Sequence, residues 1–149
     1  MGSKKKEIKY ELSKEFRFEA SHRLIKNYSG KCVNNHGHMY RVIVVLHGTD
    51  LDERDMLIDF NELKPLKKWI DKYLDHTTIL WESDPMLAYI KESGQRYLAT
   101  KKSPTSEHIA EIILAKAIEL FDNDRIKVKY IEVKESSTSG VKVYSGKSF

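Results

Sequence analysis

Three of the six histidines stand where they could hold a metal ion. His36-Gly37-His38 spaces two imidazoles by two residues, which on a strand puts both on one face with glycine between them. His22 ends the alternating run that precedes them. If the two runs pair as an antiparallel hairpin, the three rings converge on one point. Three neutral imidazoles with one open position describe a catalytic zinc site, whereas a structural site takes four ligands and more thiolates. The plainer alternative is a satisfied core histidine at position 22 and two turn-lining residues at 36 and 38. The paired spacing with a third imidazole at the adjoining strand end favours metal. His47 and His108 lack such neighbours and read as ordinary surface or cap residues.

Three further groups could work beside that ion. Cys32 lies four residues before His36, between polar neighbours. It reads as a fourth ligand that would close the site, as a thiolate base or nucleophile, or as a small buried hydrophobe. Asp75-His76 sets a carboxylate beside an imidazole, a pair that can orient a proton shuttle. Glu135 continues the face of Ile131 and Val133. It is either exposed at a fraying strand end or recognises a paired N–H edge on a heterocycle.

The elements that must position these groups follow from periodicity. Residues 8–22 alternate, with Phe16, Phe18, Ala20 and His22 on one face, and residues 38–47 are the strongest strand pattern. A turn over 48–55 and a short extended piece over 56–59 lead to Asp59. Asp59 is the expected N-cap of a helix to about Tyr73, with Pro65 in its first turn and Leu63, Leu66, Ile70 and Tyr73 as its apolar stripe. Residues 84–94 add a helical turn and 95–100 an extended piece. A second helix opens at Ser103-Pro104-Thr105 and buries Ile109, Ile112, Ile113, Ala117 and Leu120. Residues 126–135 and 141–144 are two closing strands. Hairpins at both ends with helices between predict an antiparallel α+β layer of four strands whose open edges invite oligomerisation.

Composition limits the function. The 149 residues are 40% apolar and 32% charged, too apolar for disorder and enough for one domain over 1–149, with 1–7 as a flexible terminus. The longest purely apolar run is residues 42–46, so no membrane span is expected. One cysteine forms no internal disulfide, which points to the reducing cytoplasm. The net charge of +4 reads first as ordinary solubility and second as a field that suits an anionic substrate such as a phosphate ester, and no dense basic stripe with interleaved aromatics marks a nucleic-acid surface.

Taken in order, Phe18-x-Ala20-x-His22, Cys32-x-x-x-His36-Gly37-His38-x-Tyr40, Asp59-Phe60-x-x-Leu63-Lys64, Leu74-Asp75-His76, Pro104-Thr105-x-Glu107 and Glu135 resemble the 6-pyruvoyl-tetrahydropterin synthase family over nearly the whole chain. The three residues between cysteine and His-Gly-His resemble its 6-carboxy-tetrahydropterin synthase branch, of queuosine precursor synthesis. The resemblance implies a T-fold, a four-stranded antiparallel sheet with two helices on one face, closing as trimers into a barrel and stacking as a hexamer. It implies zinc on His22, His36 and His38, Cys32 as proton acceptor, Asp75 and His76 as a relay, and Glu135 as pterin anchor and relay partner. Thr105, Ser106 and Glu107 would line the pterin pocket, with a pterin triphosphate as substrate. Asp55 departs from the glycine usual before Met56, and Lys134-Glu135-Ser136 from the usual aromatic or aliphatic residue, Glu, Thr. Rival readings of the same residues are a zinc hydrolase with no need for Cys32 and a pterin-binding barrel without turnover.

Overall fold

Alternation writes the two longest strands. In β1 (Tyr10–His22) every second residue from Phe16 is buried, and in β2 (His36–Gly48) Tyr40, Val42, Val44 and Leu46 take the matching phase. The strands pair antiparallel in unbroken register, from Tyr10 opposite Gly48 to His22 opposite His36. The structure, a computed structural model, describes residues 7–146, so most of the expected flexible stretch 1–7 lies outside the described residues.

The remaining strands are β3 (Thr77–Trp81), β4 (Tyr97–Thr100), β5 (Ile126–Lys134) and β6 (Gly140–Tyr144). Among the described residues they form one six-stranded sheet in the order β4-β3-β1-β2-β5-β6. β1, β2, β5 and β6 are the expected antiparallel four. The expectation of a wholly antiparallel, four-stranded layer is nevertheless corrected, because β3 runs parallel to β1 and β4 parallel to β3. The reason lies in Thr77-Thr78-Ile79-Leu80, which is buried on both faces and so has no alternation to read.

Helix α1 (Lys64–Tyr73) and helix α3 (Ser106–Phe121) cover one face of the sheet. Leu66 and Ile70 of α1 and Ile109, Ile113 and Ala117 of α3 share a core with Phe18, Val42, Val44 and Ile131. A third helix, α2 (Met86–Glu92), takes the other side: Ile79 joins the main core while its neighbour Leu80 packs on Leu87 and Ile90. Successive strand residues point to opposite faces, so two helices sit on one face and the third backs the parallel extension. No helix is long and apolar enough to cross a membrane.

Local details adjust the expected helices. Asp59 forms a capping box with Glu62, but the cap opens a 3-10 turn over Phe60–Leu63, and α1 follows with Pro65 in its first turn. Tyr73 is exposed, and Leu74 fills the buried place expected of it. In α3 the inward face turns to Ala110, Leu114 and Phe121, leaving Ile112 half-buried and Leu120 exposed. Asp55 adopts φ +62°, the left-handed conformation glycine takes freely and aspartate tolerates, so the turn is kept.

One buried ion pair ties the end of β1 to α2. Asp84, with no exposed side-chain surface, accepts from Arg23 Nε at 2.8 Å and from the Met86 N–H at 2.8 Å. Burial alone would raise the Asp84 carboxyl, but these hydrogen bonds outweigh it and hold it below the usual carboxylate range. A carboxyl depressed by folding stabilises above its unfolded pKa, and that contribution is lost as pH falls. Asp84→Asn is expected to be less stable at pH 7 and to converge on the parent protein as pH drops from about 4 towards 2. Arg23→Ala strands the carboxylate and is expected to cost about 3–5 kcal/mol. Urea unfolding at fixed protein concentration across that pH range checks both.

Candidate metal centre and flanking cavity

The β1–β2 register sets His22 opposite His36 and Ala20 opposite His38 on the core face. Ligand atoms of His22, His36 and His38 all lie within 4.8 Å of one another. Two rings are aimed by backbone carbonyls: His22 Nδ1–H donates to Pro104 O and His36 Nδ1–H to Asn34 O, each at 2.7 Å. Each bond places the proton on Nδ1 and leaves the Nε2 lone pair free. The Nε2 atoms of His22 and His38 are buried with no hydrogen-bond partner. Each bare nitrogen costs about 1–3 kcal/mol, and a cation satisfies them together. Burial lowers the His22 pKa, against the Pro104 hydrogen bond and with help from the neighbouring imidazoles, so the ring is neutral at pH 7. The residues therefore fit a zinc ion on their own chemistry. Tyr40, stacked on Phe18 at 4.8 Å, lies edge-on to His22 and His38 beneath the cluster.

Glu135 follows β5 in the inward phase of Ile131 and Val133. Its Oε2 lies 3.7 Å from His38 Nε2 and 3.9 Å from His22 Nε2, and accepts from Ser106 Oγ at 3.0 Å. Thr105 caps α3 by accepting from the His108 N–H, so the positive helix end faces the carboxylate. Thr105, Ser106, Glu107 and Glu135 line, with His22, a cavity of about 220 Å³. The structure thus brings together seven of the expected site residues: the three histidines, Glu135 and the Thr105–Glu107 segment. His108 lies beside them at the helix start, 3.3 Å from Glu111. His47 is no surface residue: it is buried, in the phase opposite Leu46.

Asp75 and His76 do pair, with Asp75 Oδ2 at 2.9 Å from His76 Nδ1. Burial works against the Asp75 charge, but the Glu19 N–H and the His76 ring hold its pKa down. The pair is not in the group of converging ligand atoms, however. His76 Nε2 is 3.8 Å from Glu19 Oε2, and Glu19 alternates with Ala20 onto the opposite face of the sheet. His76 lines a broad cavity of about 670 Å³ with Glu19, His38, Met39, Gln95 and Arg96, so that cavity also reaches one histidine of the cluster. Cys32 occupies a one-turn 3-10 segment, Lys31–Val33, half-buried and outside the group of converging ligand atoms, against its reading as a fourth ligand.

The family model of 6-pyruvoyl tetrahydropterin synthase matches residues 11–146. The chain belongs to the 6-pyruvoyl tetrahydropterin synthase family. Among relatives of this family member, a 6-carboxy-5,6,7,8-tetrahydropterin synthase of Aquifex aeolicus is 36% identical over 70% of this chain and 76% of that protein. Another of that name from Rickettsia bellii is 32% identical over 88% of this chain and 97% of its own. An uncharacterised protein of Wolinella succinogenes superimposes with a TM-score of 0.80 at 26% identity, covering 91% of this chain and 98% of that one. The 6-pyruvoyl tetrahydropterin synthase of Plasmodium vivax gives 0.69 at 26% identity, covering 92% and 97%. The α+β fold is the T-fold of this family.

Sequence reading missed the Pro104 carbonyl and Glu19. The purified family member is expected to carry about one zinc per chain. His36→Ala combined with His38→Ala should abolish stoichiometric binding while His108→Ala retains it, as read by metal analysis after dialysis.

Proposed function

We propose that the protein is a zinc-dependent 6-carboxy-5,6,7,8-tetrahydropterin synthase, converting 7,8-dihydroneopterin triphosphate to 6-carboxy-tetrahydropterin, acetaldehyde and triphosphate. The observation that carries this reading is the three-imidazole cluster set against the Glu135 cavity, in a chain whose relatives bear that name. One domain over 1–149, a cytoplasmic setting and a homohexamer of two trimers complete the proposal. The assembly is supported by edge strands β4 and β6, whose outer sides have no strand partner among the described residues. The net charge of +4 suits the triphosphate.

Glu135 accepts the paired N–H groups of the pterin ring, steadied by Ser106, and Thr105 and Glu107 shape the remaining wall. A zinc ion on His22, His36 and His38 supplies Lewis acidity towards the oxygens of the substrate side chain. Cys32, as thiolate, takes a proton from that side chain. His76 carries a second proton on Nε2 while Asp75 holds Nδ1–H and fixes the ring. The His76 ring is exposed and lies outside its own chain's group of converging ligand atoms, so we assign it to the site of a neighbouring subunit, and the assembly is then part of the catalyst.

Incubating the zinc-loaded protein with 7,8-dihydroneopterin triphosphate and identifying products by mass is expected to give acetaldehyde and the 6-carboxy product. A 6-pyruvoyl product without acetaldehyde, or no turnover, would sink the assignment. Cys32→Ala and His76→Ala are each expected to lose on the order of a hundredfold or more in rate. Co-assembled from equal amounts of the two variants, the oligomer should recover about a quarter of parental activity, since a site can then draw its thiol and its relay from different chains. No recovery would place both groups in one chain's site.

A further inference from the structure

Helix α1 ends in a turn whose last carbonyls have no partner within the helix and need donors from elsewhere. The Leu74 and Asp75 N–H groups both donate to Ile70 O, at 2.8 and 2.9 Å, and the Thr77 hydroxyl donates to Leu74 O at 2.6 Å. Three more carbonyls are taken by one side chain. Arg96 Nη2 donates to Asp71 O at 3.1 Å, to Lys72 O at 2.9 Å and to Asp75 O at 3.1 Å, its two N–H groups shared among three oxygens. A guanidinium at the negative end of a helix is favourable in charge as well as in hydrogen bonding. Arg96 reaches this point because its main chain is fixed beside β3. Its carbonyl accepts from the Thr78 N–H at 3.1 Å, and Tyr97 opens β4 opposite Thr78.

The third of these bonds falls on the peptide that joins Asp75 to His76. Its oxygen is held by Arg96, and its N–H, that of His76, donates to Glu19 O at 2.6 Å. This peptide plane sets the backbone of His76 at φ +58°, a left-handed conformation that a non-glycine residue keeps only where its surroundings impose it. The Asp75 carboxylate accepts from the Glu19 N–H at 2.9 Å through one oxygen and meets His76 Nδ1 at 2.9 Å through the other. The His76 side chain is 70% exposed, so packing does little to aim it. Its direction comes from the peptide behind it and the carboxylate beside it.

We propose that Arg96 is a positioning residue for the relay: by holding the Asp75 carbonyl and the last turn of α1, it fixes the peptide plane that turns the His76 ring onto the carboxylate and presents Nε2 for proton transfer. This rests on the reading of Asp75 and His76 as the relay. Arg96 lies in none of the blocks that carry the family resemblance, falling between Leu74-Asp75-His76 and Pro104-Thr105-x-Glu107. It lines the same cavity as His76. Without the guanidinium the plane keeps only its Glu19 anchor, and the left-handed backbone of His76 is free to relax.

The test is Arg96→Ala in the zinc-loaded protein, assayed with 7,8-dihydroneopterin triphosphate. Zinc content and KM are expected to stay near parental values while kcat falls about ten- to a hundredfold, the scale of a displaced catalytic group. Co-assembled with Cys32→Ala, the variant should regain activity as His76→Ala does. Co-assembled with His76→Ala it should not, because neither chain then brings a working relay. Arg96→Lys keeps a cation at the helix end but loses the planar fork, and should fall severalfold in kcat at unchanged KM. It carries the same reading if the alanine variant does not fold. Parental kcat in Arg96→Ala, beside an inactive His76→Ala, would overturn the role of the arginine alone. So would a raised KM at parental kcat, the mark of a substrate contact, or recovery of Arg96→Ala by His76→Ala. Full activity in His76→Ala would overturn the relay, and the assignment of Arg96 with it.

Discussion

The register of β1 against β2 is the constraint on which the rest depends. Because side chains alternate, a slip of one residue would carry His22, or His36 and His38, to the opposite face. The register is held by the residues behind the site: Phe16, Phe18, Tyr40, Val42, Val44 and Leu46 are all buried in the same phase. Each large apolar side chain contributes about 1.5–3 kcal/mol by burial. Their sum far exceeds the cost of two imidazole nitrogens left bare, at about 1–3 kcal/mol each. The hydrophobic face therefore dictates the geometry of the polar one, and the histidines are gathered before any ion arrives.

This explains which parts of the protein were legible from residues alone. Where one face is buried and the other wet, period two is plain, and it placed His22, His36, His38 and, through Ile131 and Val133, Glu135. The cap at Asp59 was legible for the same local reason, whereas the helix start expected at Ser103-Pro104-Thr105 takes its cap from Thr105, after the proline. β3 was not, because both its faces are covered, one by the core and one by Leu87 and Ile90 of α2. His47 was misjudged because Val45 and His47, in the phase opposite Val44 and Leu46, are buried too. The side of the sheet taken by His76 was hidden as well. Its left-handed backbone, φ +58°, and its N–H bond to Glu19 O at 2.6 Å are tertiary facts that follow from β3 docking on β1.

Glu135 shows how little polar machinery the arrangement needs. One carboxylate oxygen is within 4 Å of two metal-facing nitrogens and bonded to Ser106 at the positive end of α3. The helix end and hydroxyl steady the charge without neutralising it, so the carboxylate remains able to accept from a ring N–H. A family whose chemistry needs a heterocycle beside a metal obtains both from a strand end, a helix start and one hairpin.

The hydrogen bond from His22 to Pro104 spans 82 residues of sequence. The hairpin alone can gather three imidazoles, but the carbonyl that chooses which nitrogen of His22 bears the proton arrives only when the chain entering α3 has packed. Metal binding at full strength thus depends on the native packing of two segments 82 residues apart as well as on the ligands themselves. A variant that loosens the entry to α3 would loosen the ion's hold without touching a single ligand.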